Sequence, residues 1–127
     1  MANLNIQLSG ALQVYDITSG SVNIVNRAIA LTYQATVQYF NAYEQLTGTV
    51  VLNLPATTVY VVSIINKTPS TNLTLAFTPV GASAGSKILT PGEQFIDFPI
   101  AGSSGGYSAL SLTPASGTGI AEVLLAA

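Results

Sequence analysis

Alternation of apolar and polar residues with a period of two is the main pattern along this chain. From Ile29 to Tyr39 every second residue is apolar, and Thr32, Gln34, Thr36 and Gln38 lie between them. Successive side chains of a strand point to opposite faces of a sheet, so this pattern predicts one long strand with one buried face.

Shorter segments with the same alternation predict further strands. They are Leu4–Leu8, Leu73–Phe77, Leu110–Leu112 and Ile120–Leu125. The segment from Val59 to Ile65 is apolar at nearly every position, which is typical of a strand covered on both faces, and we place it in the interior of a sheet. One stretch, from Val37 to Leu46, could instead hold a helical turn.

Segments rich in Gly, Pro, Ser and Thr separate these predicted strands at short intervals. The Pro91-Gly92 pair predicts a type II turn, because Pro fixes the first central φ and Gly accepts the positive second one. Turn signals at this spacing divide the chain into about eight to ten strands. We therefore predict a single all-β domain over residues 1–127, an antiparallel jelly-roll-like β sandwich or barrel.

The composition favours a protein that associates with other chains. The 127 residues are 49% hydrophobic and only 6% charged, whereas an average soluble domain has about 25% charged residues. A surface with so little charge offers little resistance to contact between chains. Only three residues are basic, too few to neutralise a run of phosphates, so nucleic acid is not an expected partner.

Targeting and membrane signals are not evident in the sequence. Residues 1–8 lack the basic and continuously apolar regions of a secretory signal. The run from Val59 to Ile65 is far shorter than the roughly 20 apolar residues that a membrane-spanning helix needs. Cysteine is absent, which excludes disulfides and thiolate metal sites. We expect assembly in a cytoplasm and no contact with a membrane.

A serine nucleophile is the first catalytic possibility that the sequence raises. The segment Gly81-Ala-Ser-Ala-Gly85 matches the G-x-S-x-G pattern of hydrolases, in which a histidine takes the proton of the serine. The chain has no histidine, so we interpret Ser83 as part of a loop.

A pair of carboxylates is the second possibility. Glu93 and Asp97 would lie about 13 Å apart on one strand, beyond the roughly 5 to 9.5 Å that glycoside hydrolysis needs. Folding could bring Asp16, Glu44 or Glu122 near either of them. We expect no enzyme activity, no cofactor and no dedicated metal site, although carboxylates at a subunit interface could still bind calcium.

Tyrosines and glycosylation motifs are further candidates. Tyr15, Tyr43 and Tyr107 fall near predicted turns and could form a binding surface, whereas Tyr33 and Tyr39 follow the alternation of the long strand and are expected in the core. The acceptor motifs that begin at Asn66 and Asn72 are given no role, because no signal peptide accompanies them.

The region from about Leu52 to Ala127 adds a resemblance to this picture. Its recurring features are an apolar strand that ends in Asn66, a hairpin in which Leu and Phe alternate with Thr, and a Pro-Gly turn. In this order they resemble small structural proteins of tailed-bacteriophage virions, such as head decoration (cement) proteins and some tail-tip or fibre-associated domains. The segments that carry the likeness are Val59–Asn66, Thr68–Pro79, Leu89–Phe98, Tyr107–Thr113 and Ala121–Ala127. The first half of the chain matches no family that we can name.

The resemblance implies a homo-oligomer, a trimer, on the outside of a phage capsid, with the major capsid protein or a tail protein as its partner. Residues 1–10 would form an arm that adds a strand to a neighbour's sheet, and the apolar carboxyl end would make further contacts. The expected contact residues are Leu4, Ile6, Leu8, Val123, Leu124 and Leu125. A host-recognition tail or fibre domain, a pilus or coat subunit, and an esterase are the alternatives.

Overall fold

The structure, a computed structural model, describes residues 4–16, 22–35, 39–54, 56–98 and 105–127, and within these ranges it describes the side chains of residues 6–13, 26–31, 45–54, 56–98 and 105–127. The described residues form ten strands and no helix. The strands are β1 Leu4–Asp16, β2 Val22–Ala35, β3 Tyr39–Leu46, β4 Val50–Val51, β5 Val61–Asn66, β6 Leu73–Pro79, β7 Gly85–Leu89, β8 Gln94–Asp97, β9 Tyr107–Pro114 and β10 Gly119–Ala126. All pairings are antiparallel. The predicted all-β antiparallel class is confirmed, and no helix long and apolar enough to cross a membrane is found in these ranges.

Eight of the strands form a sandwich of two four-stranded sheets. One sheet has the order β3-β10-β5-β8 and the other β4-β9-β6-β7. The strand pairs are nested, since β3 pairs with β10, β4 with β9, β5 with β8 and β6 with β7. The chain from β3 to β10 is therefore a long ribbon that folds back at the β6–β7 turn and wraps into two layers.

The core lies between these two sheets and is almost entirely aliphatic. Ile64 and Val123 from the first sheet meet Leu75 and Leu112 from the second, and all four are fully buried. Strand β5 lies between β10 and β8, so its predicted place in the interior of a sheet is confirmed. Burial at roughly 25 cal/mol per Å² of apolar surface makes this layer the main source of stability.

Asn66 and Thr68 are the two buried polar residues among the described side chains. The Asn66 amide nitrogen donates to the carbonyl oxygens of Thr71 and Leu89, both at 2.9 Å, and its carbonyl oxygen accepts the Thr68 N–H at 2.9 Å. The Thr68 hydroxyl in turn accepts the Ile120 N–H at 2.8 Å. Asn66 therefore ties the end of β5 to the end of β7, while Thr68 ties the same loop to β10.

The Thr90–Glu93 segment forms the tight turn that its sequence predicts. Gly92 has a φ of 83°, and the Glu93 N–H donates to the Thr90 carbonyl at 2.9 Å. Only glycine adopts this φ without steric cost, so the Pro-Gly pair fixes the connection between β7 and β8.

Strands β1 and β2 form a separate two-stranded hairpin. Its register pairs Ile6 with Tyr33, Leu8 with Leu31 and Leu12 with Arg27. The predicted single strand from Ile29 to Tyr39 is wrong at its end, because β2 ends at Ala35 and Tyr39 opens β3 in another sheet. The helical turn considered for Val37 to Leu46 is also wrong, since the described residues 39–46 form a strand.

Candidate association surface

The base of the hairpin packs on the outer face of the β3-β10-β5-β8 sheet. Ile6 and Phe98 pack against the buried side chains of Val61 and Ala126. Beside this contact runs a groove of about 120 Å³. It is lined by Ile6, Gln7, Leu8, Val61, Ser63, Gln94, Ile96, Phe98 and Leu124. Ile96 is 43% exposed, so the apolar surface continues from the covered contact into solvent.

Beyond its base, the hairpin projects as an uncovered ribbon. The side chains of residues 9–13 on β1 and of residues 26–28 on β2 are all exposed. Leu12, which lies on the face of Ile6 and Leu8 by alternation, is 53% exposed. β1 has 13 residues, so at about 3.4 Å per residue the whole hairpin, with its base included, is roughly 45 Å long. A two-stranded hairpin is marginally stable in water unless something packs against it.

The described surface is close to electrically neutral because its charges are paired. Lys67 lies 3.8 Å from Glu122, and Lys87 lies 2.8 Å from Glu93. The contact with Lys87, together with the Thr90 N–H, lowers the pKa of Glu93 to about 2. Arg27 is exposed on the hairpin. A neutral surface favours partners that bind through shape, apolar contacts and strand pairing rather than through opposite charge.

The structure divides the six predicted contact residues into three groups. Leu4 belongs to β1, but its side chain lies outside the described ones. Ile6 and Leu8 line the groove, and the half-buried Leu124 lines it from β10. Val123 and Leu125 are fully buried in the sandwich core, so their side chains are not on the surface that another chain could contact.

The predicted arm is also paired within its own chain. Residues 4–10 form a ladder with residues 29–35 of β2. One edge of β1 is therefore occupied by β2. A neighbouring chain could pair with β1 only through its other edge, which faces away from β2.

Among the described side chains, the residues considered for catalysis have separate surroundings, and the side chains of Asp16 and Glu44 lie outside the described ones. Ser83 is exposed in the turn between β6 and β7. Glu93 is bound to Lys87 and Thr90, whereas Asp97 accepts a hydrogen bond from the Tyr107 hydroxyl. The two carboxylates therefore have different partners.

Tyr107 has a structural place instead of the binding role considered for it. It is buried, and its ring meets Phe77 edge-on with 5.9 Å between the centroids. Burial and the contact with Asp97 raise the pKa of its hydroxyl to about 12. The side chains of Tyr15, Tyr33, Tyr39 and Tyr43 lie outside the described ones.

Two parts of this surface were missed by the sequence reasoning. Ile96 and Phe98 line the groove, and their spacing of two residues, in β8 and directly after its end, could have indicated them. The pairing of β2 with β1 was missed as well, because alternation predicts strands without naming their partners. Comparison with protein-family models, with curated proteins and with solved structures gave no match.

Proposed function

We propose that this chain is a non-catalytic structural protein of a tailed-bacteriophage virion that binds the outside of the capsid as a decoration protein. The hairpin β1–β2 is the observation that carries the proposal. It is exposed along residues 9–13, and Leu12 on one of its faces is 53% exposed, so this face can contact a capsid protein while the open edges suit strand addition by another subunit. The virion assignment itself rests on the resemblance of residues 52–127, which form β5 to β10 of the sandwich.

The wrapping of the sandwich supports this proposal, and we infer that it is a jelly roll. A jelly roll is an eight-stranded double sheet of two Greek keys, a form used by viral capsid and lectin domains. The nested pairs β3·β10, β4·β9, β5·β8 and β6·β7 have the order that such a wrapped ribbon produces. Fold alone does not assign a function, so the surface must carry the rest of the argument.

The proposed mechanism is mechanical. Each subunit spans neighbouring capsid proteins and buries apolar surface against them. This burial stabilises the contact by roughly 25 cal/mol per Å² and so strengthens a shell that is under internal pressure. Leu12 and Ile96 supply exposed apolar area for this contact. Affinity per subunit can be modest, because copies held on one lattice reinforce one another.

Capsids assembled without this chain provide the direct test. Purified chain is added to them, and binding is measured by co-sedimentation, with the temperature of genome release as a second reading. Wild-type chain should bind and raise that temperature. Leu12→Asp should weaken binding, because it places a charge on the exposed ribbon.

A matched control for this test lies on the other side of the molecule. Val51 is 71% exposed on the edge strand β4, so Val51→Asp should bind as the wild type does. A wild-type chain that leaves such capsids bare would contradict the proposal.

A tail or fibre domain that binds a host receptor is the second candidate. An open depression of about 520 Å³ at the β6–β7 turn favours it. The depression is lined by Thr78, Pro79, Val80, Gly81, Ala82, Ser83 and Ser108. Shortening the turn at residues 81–84 should then abolish adsorption to the host and leave capsid stability unchanged. The chain would also be found in the tail fraction of disrupted virions rather than with the heads.

A further inference from the structure

We propose that the hairpin is completed by other copies of this chain, with the free edge of β1 in one copy paired to the free edge of β2 in the next. The inference deepens the proposed function by naming the hairpin's partner. It rests on the proposed function in one respect only, which is that the chain is a subunit of a larger assembly.

The hairpin has two long open edges. Among the described residues β1 pairs only with β2 and β2 only with β1, over 13 and 14 residues. Each strand therefore has a row of backbone N–H and C=O groups without a strand partner, which is a template for another chain. Three edge strands of the sandwich are much shorter, with two residues in β4, five in β7 and four in β8. Short edges are protected against such pairing.

The rotational symmetry of a ring of identical subunits determines which strands of two neighbouring copies pair. If identical subunits are arranged around an axis parallel to the ribbon, all their hairpins point in the same direction. β1 of one copy then lies beside β2 of the next, and the two run antiparallel, as they do within one chain. A head-to-tail contact of this kind closes into a ring, and closure leaves no open edge.

The side chains along the ribbon suit a second copy better than a charged partner. The described ones carry a single charge, on Arg27, and several are small, including Ser9, Ala11, Ala28 and Ala30. Small neutral side chains bring no electrostatic repulsion between β1 of one copy and β2 of the next. A ribbon of about 45 Å by 10 Å offers roughly 450 Å² on each face. A closed ring of copies would turn one of these faces inward and bury it together with the paired edges.

Disulfide trapping tests the pairing, because the native chain contains no cysteine. Six exposed positions serve for single-cysteine variants: Ser9→Cys, Ala11→Cys and Gln13→Cys on β1, and Asn26→Cys, Ala28→Cys and Ala30→Cys on β2. Each β1 variant is unfolded, mixed with each β2 variant, refolded and oxidised. Neighbouring antiparallel strands bring Cα atoms to about 4.5 to 5.5 Å, within disulfide range. At least one mixture should give a covalent dimer in high yield, and the single variants alone should not.

The controls separate this proposal from other arrangements. Ser86→Cys, exposed on β7 of the sandwich, should give no dimer with any hairpin variant. Dimers formed by a β1 variant alone would mean twofold β1–β1 pairing and would overturn the proposal. So would a monomer by light scattering that gives no dimer in any mixture.

The same variants distinguish failure of this inference from failure of the proposed function. A chain that binds capsids as a monomer would overturn ring pairing and leave decoration intact. A chain that forms the trapped ring but leaves capsids bare would overturn decoration and leave the pairing intact.

Discussion

The sandwich and the hairpin are built from the same alternating pattern but reach different degrees of burial. In the sandwich, the alternate residues Leu73 and Leu75 are fully buried between two sheets. In the hairpin, Ile6 and Leu8 are half-buried and Leu12 is mostly exposed. The sandwich can be stable by itself, whereas the ribbon gains stability only when other surfaces cover it.

This difference separates the residues that hold the fold from those available for assembly. Substitutions in the sandwich should act on the free energy of unfolding of one chain. Substitutions in the hairpin should act on association and leave that free energy nearly unchanged. Two of the four matched pairs of variants below compare the two regions directly, and the other two test how the sandwich is held together.

The largest effect is expected for truncation of the core. Leu75→Ala removes a fully buried side chain and leaves a cavity, which should lower the free energy of unfolding by about 2 to 5 kcal/mol. Leu12→Ala on the exposed ribbon should change it by less than about 0.5 kcal/mol. Urea unfolding of the two purified variants at low protein concentration, where association between copies contributes least, measures both values. A large loss from Leu12→Ala would mean that the hairpin is part of the cooperative core.

The sandwich was the part of this fold most open to prediction from sequence. Strands β6, β9 and β10 follow directly from alternation, and the Pro91-Gly92 turn follows from the backbone preferences of its two residues. The apolar run of Val61–Asn66 predicted a strand covered on both faces, and Ile6 and Phe98 do cover Val61 on its outer face.

The hairpin and its contacts were harder to predict, for two physical reasons. The alternation passes from β2 into β3 without Gly or Pro between residues 35 and 39, so no signal marked the change of sheet. Register and partner choice depend on tertiary contacts. For the same reason Val123 and Leu125, predicted as contact residues, could not be distinguished from Leu124 until β10 was known to have a fully buried inner face.

The buried amide of Asn66 should give the next largest effect. Asn66→Ala removes three hydrogen bonds and leaves the Leu89 carbonyl and the Thr68 N–H without their side-chain partner. The cost should be at least about 2 kcal/mol, since each of the two buried groups left unpaired costs about 1 to 3 kcal/mol. Asn72→Ala, at the exposed asparagine of the second glycosylation motif, is the matched control and should be nearly neutral. Thermal unfolding compares the two, and equal shifts would contradict the structural role of Asn66.

Close packing at Gly119 predicts a smaller loss. A Cβ atom there would lie 2.6 Å from a methyl group of Leu73 and 3.2 Å from Pro114. Gly119→Ala should therefore cost about 1 to 3 kcal/mol through overpacking. Gly48→Ala is the control, because its Cβ would have no neighbour within 4 Å. If both variants unfold at the same denaturant concentration, the sandwich is looser at β10 than the structure indicates.

The smallest effect concerns the charges and depends on pH. The pKa of Glu93 is lowered from 4.5 to about 2 by Lys87 and Thr90, so the folded state binds a proton at Glu93 less readily than the unfolded chain does. The stabilisation from Glu93 is then fully present above about pH 4.5 and disappears as the pH falls toward 2. Glu93→Gln should have a lower free energy of unfolding than the wild type at pH 6. This gap between the two proteins should close at low pH and become smaller at high salt concentration. Arg27→Gln, which changes a charge on the exposed ribbon, should show no such gap at low protein concentration. Acid titration of unfolding for the three proteins measures this, and a gap that persists at pH 2 would mean that Glu93 acts through packing rather than through charge.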